Sequence, residues 1–381
     1  MMRLSEISVI ILAAGFSERM GDFKPMMKLG GQTVLQRTLS LYREAGITDI
    51  RIVVGHRAEA LKAAIPPGIA TPVLNPAYAS GMFSSVLAGV KSLPPNVRCF
   101  FVHPVDIPLV RPHTLSVLMA AFETHRPAVA YPAFAGTRGH PPLIAATLIE
   151  AITSHQGVGG LQAMLQHFDS RALDIQVADE GILLDMDTLP HWRQLTTRLA
   201  GAQILTDAEC RVLMHDIQQL PEGVSAHCRQ VAVVADALAQ ALAAHVPDID
   251  VALVRSAAMV HDLAKCSQHH AAAGADLLHR MGFPEMAAVV ATHMDIDTTD
   301  DSPVDNAQVV HLADKLVSGA SVVRLQQRFQ AKLRKYGRDP RAAADIDRRR
   351  RTAATIQYKI ERISGMTIER ILTDAGVFAR E

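Results

Sequence analysis

Val9-Ile10-Ile11-Leu12-Ala13-Ala14-Gly15-Phe16-Ser17-Glu18-Arg19-Met20-Gly21, with Lys24 close behind, is the stretch on which the reading of this chain turns. The apolar run from Val9 to Leu12 reads as a buried strand, and it empties directly into a loop of small residues. Alanine and glycine let a backbone approach a ligand closely, and successive N–H groups can cradle phosphate oxygens. Arg19 and Lys24 add two cations within reach of the same loop. The loop is not a Walker motif, which needs Gly-Lys-Ser/Thr, and Gly15 and Gly21 lack the spacing of a dinucleotide fingerprint.

At 381 residues the chain exceeds the roughly 250–300 that one core sustains, so two domains are expected. Lys+Arg and Asp+Glu balance at 38 each, which argues against nucleic acid or a membrane surface as partner. A phosphate-bearing ligand must then be caught by a local site. Cys99, Cys210, Cys228 and Cys266 are scattered, as expected of reduced thiols rather than a disulfide frame or a zinc knuckle. The run Ile7 to Ala14 is too short to span a bilayer and has only Arg3 as a basic flank. The expectation is a soluble, cytoplasmic protein.

Up to about Trp192, short apolar runs alternate with helical patterns. Strands are expected at Ser8–Leu12, Ile50–Val54, Cys99–Val102, Ala128–Tyr131 and Gly181–Met186, with helices between them such as Thr33–Ala45, Phe83–Lys91 and His113–Thr124. This is the texture of an α/β domain with a mostly parallel sheet, whose ligands bind beyond the carboxyl ends of the strands. After about Leu195 only helical spacing is left, as in Asp207–Gln219, Ala226–His245, Val251–His261 and Ala307–Gly319, so the second domain should be all-α. The expected divisions are 1–195, 207–325 and a helical tail, 326–381. The tail's Arg348-Arg349-Arg350-Arg351 reads as a solvated helix face.

Asp106 closes the apolar run Phe100 to Val105, and Asp185 and Asp187 close Ile182 to Leu184. One carboxylate at a strand end is commonly a cap. Two such endings plus a cationic loop fit Mg²⁺ held against a nucleotide's phosphates. Here a resemblance becomes specific. Residues 8 to about 192 resemble the MobA-like nucleotidyltransferases, and within them the molybdenum cofactor cytidylyltransferases. The resemblance rests on residues 12–21, Lys24, Leu29 to Leu35, Asn75 to Gly81 with Ser84-Ser85, Asp106-Ile107-Pro108, Gly139-His140-Pro141 and Asp185-Met186-Asp187-Thr188. It implies a Rossmann-like sheet domain that transfers a nucleotidyl group from an NTP and releases pyrophosphate. It also implies that Asp106 and Asp187 hold Mg²⁺, that Arg19 and Lys24 bind the NTP phosphates together with Leu12, Ala13, Ala14 and Gly15, and that Asn75, Gly81 and Ser85 contact base or ribose. Ala-Ala-Gly at 13–15 resembles the cytidylyl branch, the Ala14 methyl narrowing the base pocket toward a pyrimidine. Lys28, where proline is commoner, and Leu189 before Pro190 depart from the family pattern without removing a needed charge.

In the helical half, His227, His261-Asp262 and Asp314 supply imidazoles and carboxylates that can converge on a divalent metal. Lys265 lies four residues beyond His261, where it can meet a phosphate. Isolated histidines such as His245 and His279 read as surface or cap residues. The order His…His-Asp…Asp over about 222–320 resembles the HD-domain metal phosphohydrolases. His270 and His293 match the extra histidines of two-metal members, and His269 is a neighbouring alternative. The resemblance implies a transition metal such as Mn, Fe or Zn, with Asp262 and Lys265 in the catalytic set.

The combined expectation is a bifunctional enzyme: a transferase joining CMP from CTP to the molybdopterin cofactor, fused to an HD phosphohydrolase of unread substrate. An apo molybdenum hydroxylase is a conceivable recipient of the product. The alternative expectation is a transferase for a sugar phosphate or another small phosphate acceptor, with the HD half a nucleotide-sensing module.

Overall fold

The computed structural model describes residues 3–16 and 20–378, and the chain divides into two compact units, Met1–Ala202 and Gln203–Glu381. In the first, β1 (Ile7–Leu12) is followed by a short hairpin of β2 (Lys28–Leu29) and β3 (Gln32–Thr33), then by β4 (Asp49–Val54) and β5 (Thr71–Leu74). β6 (Cys99–Pro104), β7 (Val129–Phe134), β8 (Thr137–Arg138), β9 (Leu143–Ala145) and β10 (Ala172–Gln176) complete its strands. The main sheet runs β10-β7-β9-β6-β1-β4-β5, with β8 paired to β7. β1 is parallel to both its neighbours, pairing Ser8 with Asp49 on one side and Ile7 with Cys99 on the other. β9 runs antiparallel to β6 and β7, so the sheet is mixed and mostly parallel.

Helices α1 (Val34–Glu44), α2 (Ala58–Ala64), α3 (Met82–Lys91), α4 (Pro112–His125), α5 (Ile149–Ser154), α6 (Gly160–Gln166) and α7 (Leu189–Ala200) belong to this unit. Every residue of β1 and β6 is buried, which is why both read as unbroken apolar runs rather than alternating ones. α1 starts where Thr33 and Gln36 form a reciprocal capping box. α3 lies directly on β1, since a Cβ on Gly89 would stand 2.3 Å from Ile10 Cγ2. From β1 the chain goes first to β4 on one side and only later to β6 on the other. The carboxyl end of β1 is therefore the switch point at which such sheets open a ligand crevice.

One expectation needs correction. Gly181–Met186 is not a strand: Glu180–Leu183 is a 3₁₀ turn whose entry is capped by Asp179, and the chain beyond it runs on without pairing. Gly181 packs so closely against Leu109 that a Cβ there would stand 2.3 Å from the Leu109 carbonyl oxygen, and the Ile182 carbonyl accepts from His140 N–H at 2.9 Å. The outer strand is instead β10, and β5 and β9 are further strands that were too short or too proline-marked to read.

In the second unit, α8 (Asp207–Arg211) runs into a π-helical segment, Val212–Ile217. Then come α9 (Glu222–Ala243), α10 (Val251–Val260), α11 (His270–Arg280), α12 (Pro284–Ala291) and α13 (Asn306–Lys315). A two-strand hairpin, β11 (Val317–Ser318) and β12 (Ser321–Val322), precedes α14 (Leu325–Tyr336), α15 (Pro340–Ser364) and α16 (Ile368–Asp374). Buried alanines on α9 (Ala232, Ala235, Ala239) and α10 (Ala257, Ala258) let these two helices pack closely at the core. Among the described residues no helix is long and apolar enough to cross a membrane.

The tail helix α15 grips the segment that follows α12. The buried Lys359 ammonium donates to Thr298 Oγ1 at 2.9 Å, Ser302 Oγ at 2.9 Å and Gln308 Oε1 at 3.0 Å. Arg348 and Arg349 both reach Asp295, at 2.9 and 2.7 Å, so the arginine run is only partly the solvated face expected of it.

Gly89→Ala forces a methyl into β1 and should destabilise the first unit by about 1–3 kcal/mol. Denaturant unfolding followed beside the unchanged parent measures it.

Candidate functional site

The carboxyl end of β1 opens into a cavity of about 300 Å³, lined by the backbone from Leu12 to Phe16 and by Lys24, Tyr78, Gly81, Ser85 and Asp106. Ala13 N–H donates to Val53 O at 3.0 Å and Ala14 O accepts from His56 N–H at 3.1 Å, which fixes the loop to β4. A Cβ on Gly55 would fall 2.6 Å from Tyr78 Cβ and 2.9 Å from Ala14 Cβ. Glycine at 55 is thus what lets the Tyr78 loop close on the opening loop.

Lys24 Nζ stands 2.9 Å from Asp106 Oδ2 and 2.6 Å from Asp187 Oδ1. Burial works against its charge, but hydrogen bonds and attraction from Asp187 and Asp106 outweigh it and raise its pKa. Met186 N–H donates to Asp106 O at 2.9 Å, which brings the two aspartate segments together without a strand. Asp185 points elsewhere and meets His191 Nδ1 at 2.8 Å.

The Asp106 turn has a brace that the sequence did not announce. His103 is fully buried, and burial lowers its pKa to about 4, so the ring is neutral. Its Nε2–H donates to Ile107 O at 2.9 Å, and its Nδ1 accepts from the Tyr42 hydroxyl at 2.8 Å.

Of the residues expected to touch the nucleotide, Leu12, Ala13, Ala14, Gly15, Gly81 and Ser85 line the cavity. Asn75 shapes the neighbouring loop: its amide donates to Ser84 and Ser85 at 2.9 and 3.0 Å, and its Oδ1 accepts from Ala77 N–H at 3.0 Å. Arg19 lies outside the described residues.

In the second unit, five elements bring six expected residues together. His227 comes from α9, His261 and Asp262 follow α10, His270 opens α11, His293 follows α12, and Asp314 lies on α13. Two groups of metal-ligand atoms result, His227–His261–Asp262 and Asp262–His270–His293, each with its atoms within 4.8 Å of one another, and Asp262 is common to both. His227 Nε2 stands 3.0 Å from Asp314 Oδ1. His270 and His293 Nε2 stand 3.3 and 3.4 Å from Asp262 Oδ1.

The donor set fits a metal. His261 Nδ1 and His293 Nδ1 donate to the carbonyls of Ala258 and Val290, at 2.8 and 2.7 Å. His227 Nδ1 is likewise 2.9 Å from Gly319 O. Such bonds fix the tautomer and leave Nε2 as the ligand atom. The Nε2 atoms of His261, His270 and His293 are buried with no hydrogen-bond partner among the described residues. Burial pulls the His261 pKa down to about 4, so this imidazole faces carboxylate oxygens with a bare lone pair. A cation resolves that mismatch. Burial opposes the charges of Asp262 and Asp314, yet the surrounding histidines and cations hold both carboxyls below their usual range. Lys265 lies 2.9 Å from Asp262, and Lys315, unforeseen and fully buried, lies 2.6 Å from Asp314.

The class defined here is a nucleotidyltransferase-type sheet domain joined to a helical His/Asp metal domain. More particularly, residues 9–173 match the MobA-like NTP transferase domain and residues 224–319 match the HD domain. The molybdenum cofactor cytidylyltransferase of Escherichia coli is a distant homologue, 29% identical over 187 residues, which are 49% of this chain and 93% of that one. A bifunctional IPC transferase and DIPP synthase of Rubrobacter xylanophilus is 35% identical over 108 residues, 27% of this chain and only 25% of that protein. Among solved structures, Rv0371c of Mycobacterium tuberculosis aligns with a TM-score of 0.46 at 24% identity, over 51% of this chain and all of that one.

Because Asp262 belongs to both ligand groups, Asp262→Ala should empty both, whereas His270→Ala should remove one. Mn²⁺ counted per chain after reconstitution and desalting distinguishes the two variants from the parent.

Proposed function

We propose that the first unit transfers CMP from CTP to the terminal phosphate of the molybdopterin cofactor, and that the second is a metal-dependent phosphohydrolase. The convergence of Lys24, Asp106 and Asp187 at the mouth of the β1 cavity carries the first half. In that reaction an acceptor phosphate oxygen bonds to the α-phosphorus of CTP, and the bond to the departing pyrophosphate breaks. No general base is needed, since a phosphomonoester oxygen is already anionic near neutral pH. Catalysis is then alignment and charge neutralisation. Mg²⁺, when held by Asp106 and Asp187, would neutralise triphosphate charge. Lys24 supplies a further cation between the same carboxylates, and the loop Leu12–Gly15 seats the nucleotide beside Ser85 and Gly81. The buried Ala14 methyl supports a pyrimidine over a purine.

In the second unit His227, His261, Asp262, His270, His293 and Asp314 would hold Mn, Fe or Zn, which when bound would make water acidic enough to attack phosphorus near neutral pH. Lys265 stands where it can meet a substrate oxygen. The Rubrobacter relative favours a second reading of the first unit, transfer to another small phosphate acceptor.

Pyrophosphate release from CTP, GTP, ATP and UTP with Mg²⁺, with and without molybdopterin cofactor, tests the proposal. Cofactor-dependent release from CTP is expected. Asp106→Asn should slow it by about 10²-fold or more, while leaving Mn²⁺-dependent phosphoester hydrolysis unchanged. Release from GTP alone would overturn the base assignment, and no release with the cofactor would overturn the acceptor.

A further inference from the structure

Helix α14 lies beyond the residues that match the HD family, yet it turns Arg328 toward the metal cluster. Arg328 Nη2 stands 3.6 Å from Asp314 Oδ1, and Nη1 donates to the Val317 carbonyl. Its Nε is buried with no hydrogen-bond partner among the described residues. Lys332 follows four residues later, one helical turn along the same face. Its side chain is half-buried, and among the described residues no hydrogen bond or ion pair holds its ammonium. Burial, with Arg328, Lys315 and Arg349 nearby, pulls the Lys332 pKa down to about 8, against a smaller pull upward from Asp314.

Asp314 cannot balance this group, because it already faces Lys315 at 2.6 Å and His227 at 3.0 Å. Nor can Asp295, which is taken by Arg348 and Arg349. A half-buried excess of positive charge beside a metal cluster is costly unless an anion enters it.

We propose that Arg328 and Lys332 form a phosphate-binding wall beside the His/Asp cluster, which receives the dianionic phosphate of a phosphomonoester. A diester, with one negative charge per phosphate, satisfies this wall less well. The proposal rests on the phosphohydrolase reading for its chemistry, but the binding does not require turnover.

The test uses inorganic phosphate titrated calorimetrically into the metal-free full chain, for the parent, Lys332→Met and Lys332→Arg. Lys332→Met should lose one phosphate equivalent or bind it about tenfold more weakly, with the unliganded melting temperature no lower than the parent's, and Lys332→Arg should retain it. In parallel, with Mn²⁺, Lys332→Met should raise KM for p-nitrophenyl phosphate about tenfold and leave KM for bis-p-nitrophenyl phosphate nearly unmoved. Superimposable phosphate isotherms for parent and Lys332→Met would overturn the wall, even if hydrolysis persists. Loss of phosphate binding in Lys332→Met, in a parent that hydrolyses nothing, would uphold the wall and remove the phosphohydrolase reading instead.

Discussion

Carboxylates cannot be crowded together in a half-dry pocket without positive charge between them, and both units are organised around that constraint. In the first, the carboxylates of Asp106 and Asp187 come from segments far apart in sequence and meet on a single ammonium, Lys24. In the second, Asp262 and Asp314 are each held by a lysine close by in sequence, Lys265 and Lys315, while histidines fill the remaining directions. The lysines keep the acidic clusters folded, and the acidic clusters keep the lysines aimed. A divalent ion entering either cluster meets oxygen atoms already gathered.

The parts of the fold that were legible are those written locally. The buried run Val9–Leu12 and its small-residue loop declared β1 and the cavity, and Phe100–Val105 declared the strand that delivers Asp106. The six metal-type residues of the helical half could be read because their order along the chain, His…His-Asp…Asp with two further histidines between, is itself a pattern in the sequence. What escaped is long-range. Asp187 is placed by a backbone hydrogen bond from Met186 to the Asp106 carbonyl, not by a strand, so Ile182–Leu184 was misread from its apolar character alone. His103 looked like one polar residue in an apolar strand, and its role depends on Tyr42, which lies 61 residues away. Asn75, expected at the nucleotide, also bonds within its own loop, to Ser84, Ser85 and Ala77. Arg328 carries no motif of any kind; only the packing of α14 shows where it points.

The grip of α15 on the segment after α12 has a practical side. Lys359 is fixed to Thr298, Ser302 and Gln308, and Arg348 and Arg349 to Asp295, only two residues past His293. The family match stops at residue 319, well short of these anchors. Family boundary and folding boundary therefore differ in this protein. A fragment cut where the homology ends would keep every histidine and aspartate of the cluster and still lose the scaffold that positions one of them, so the excisable piece is the whole unit from Gln203 onward.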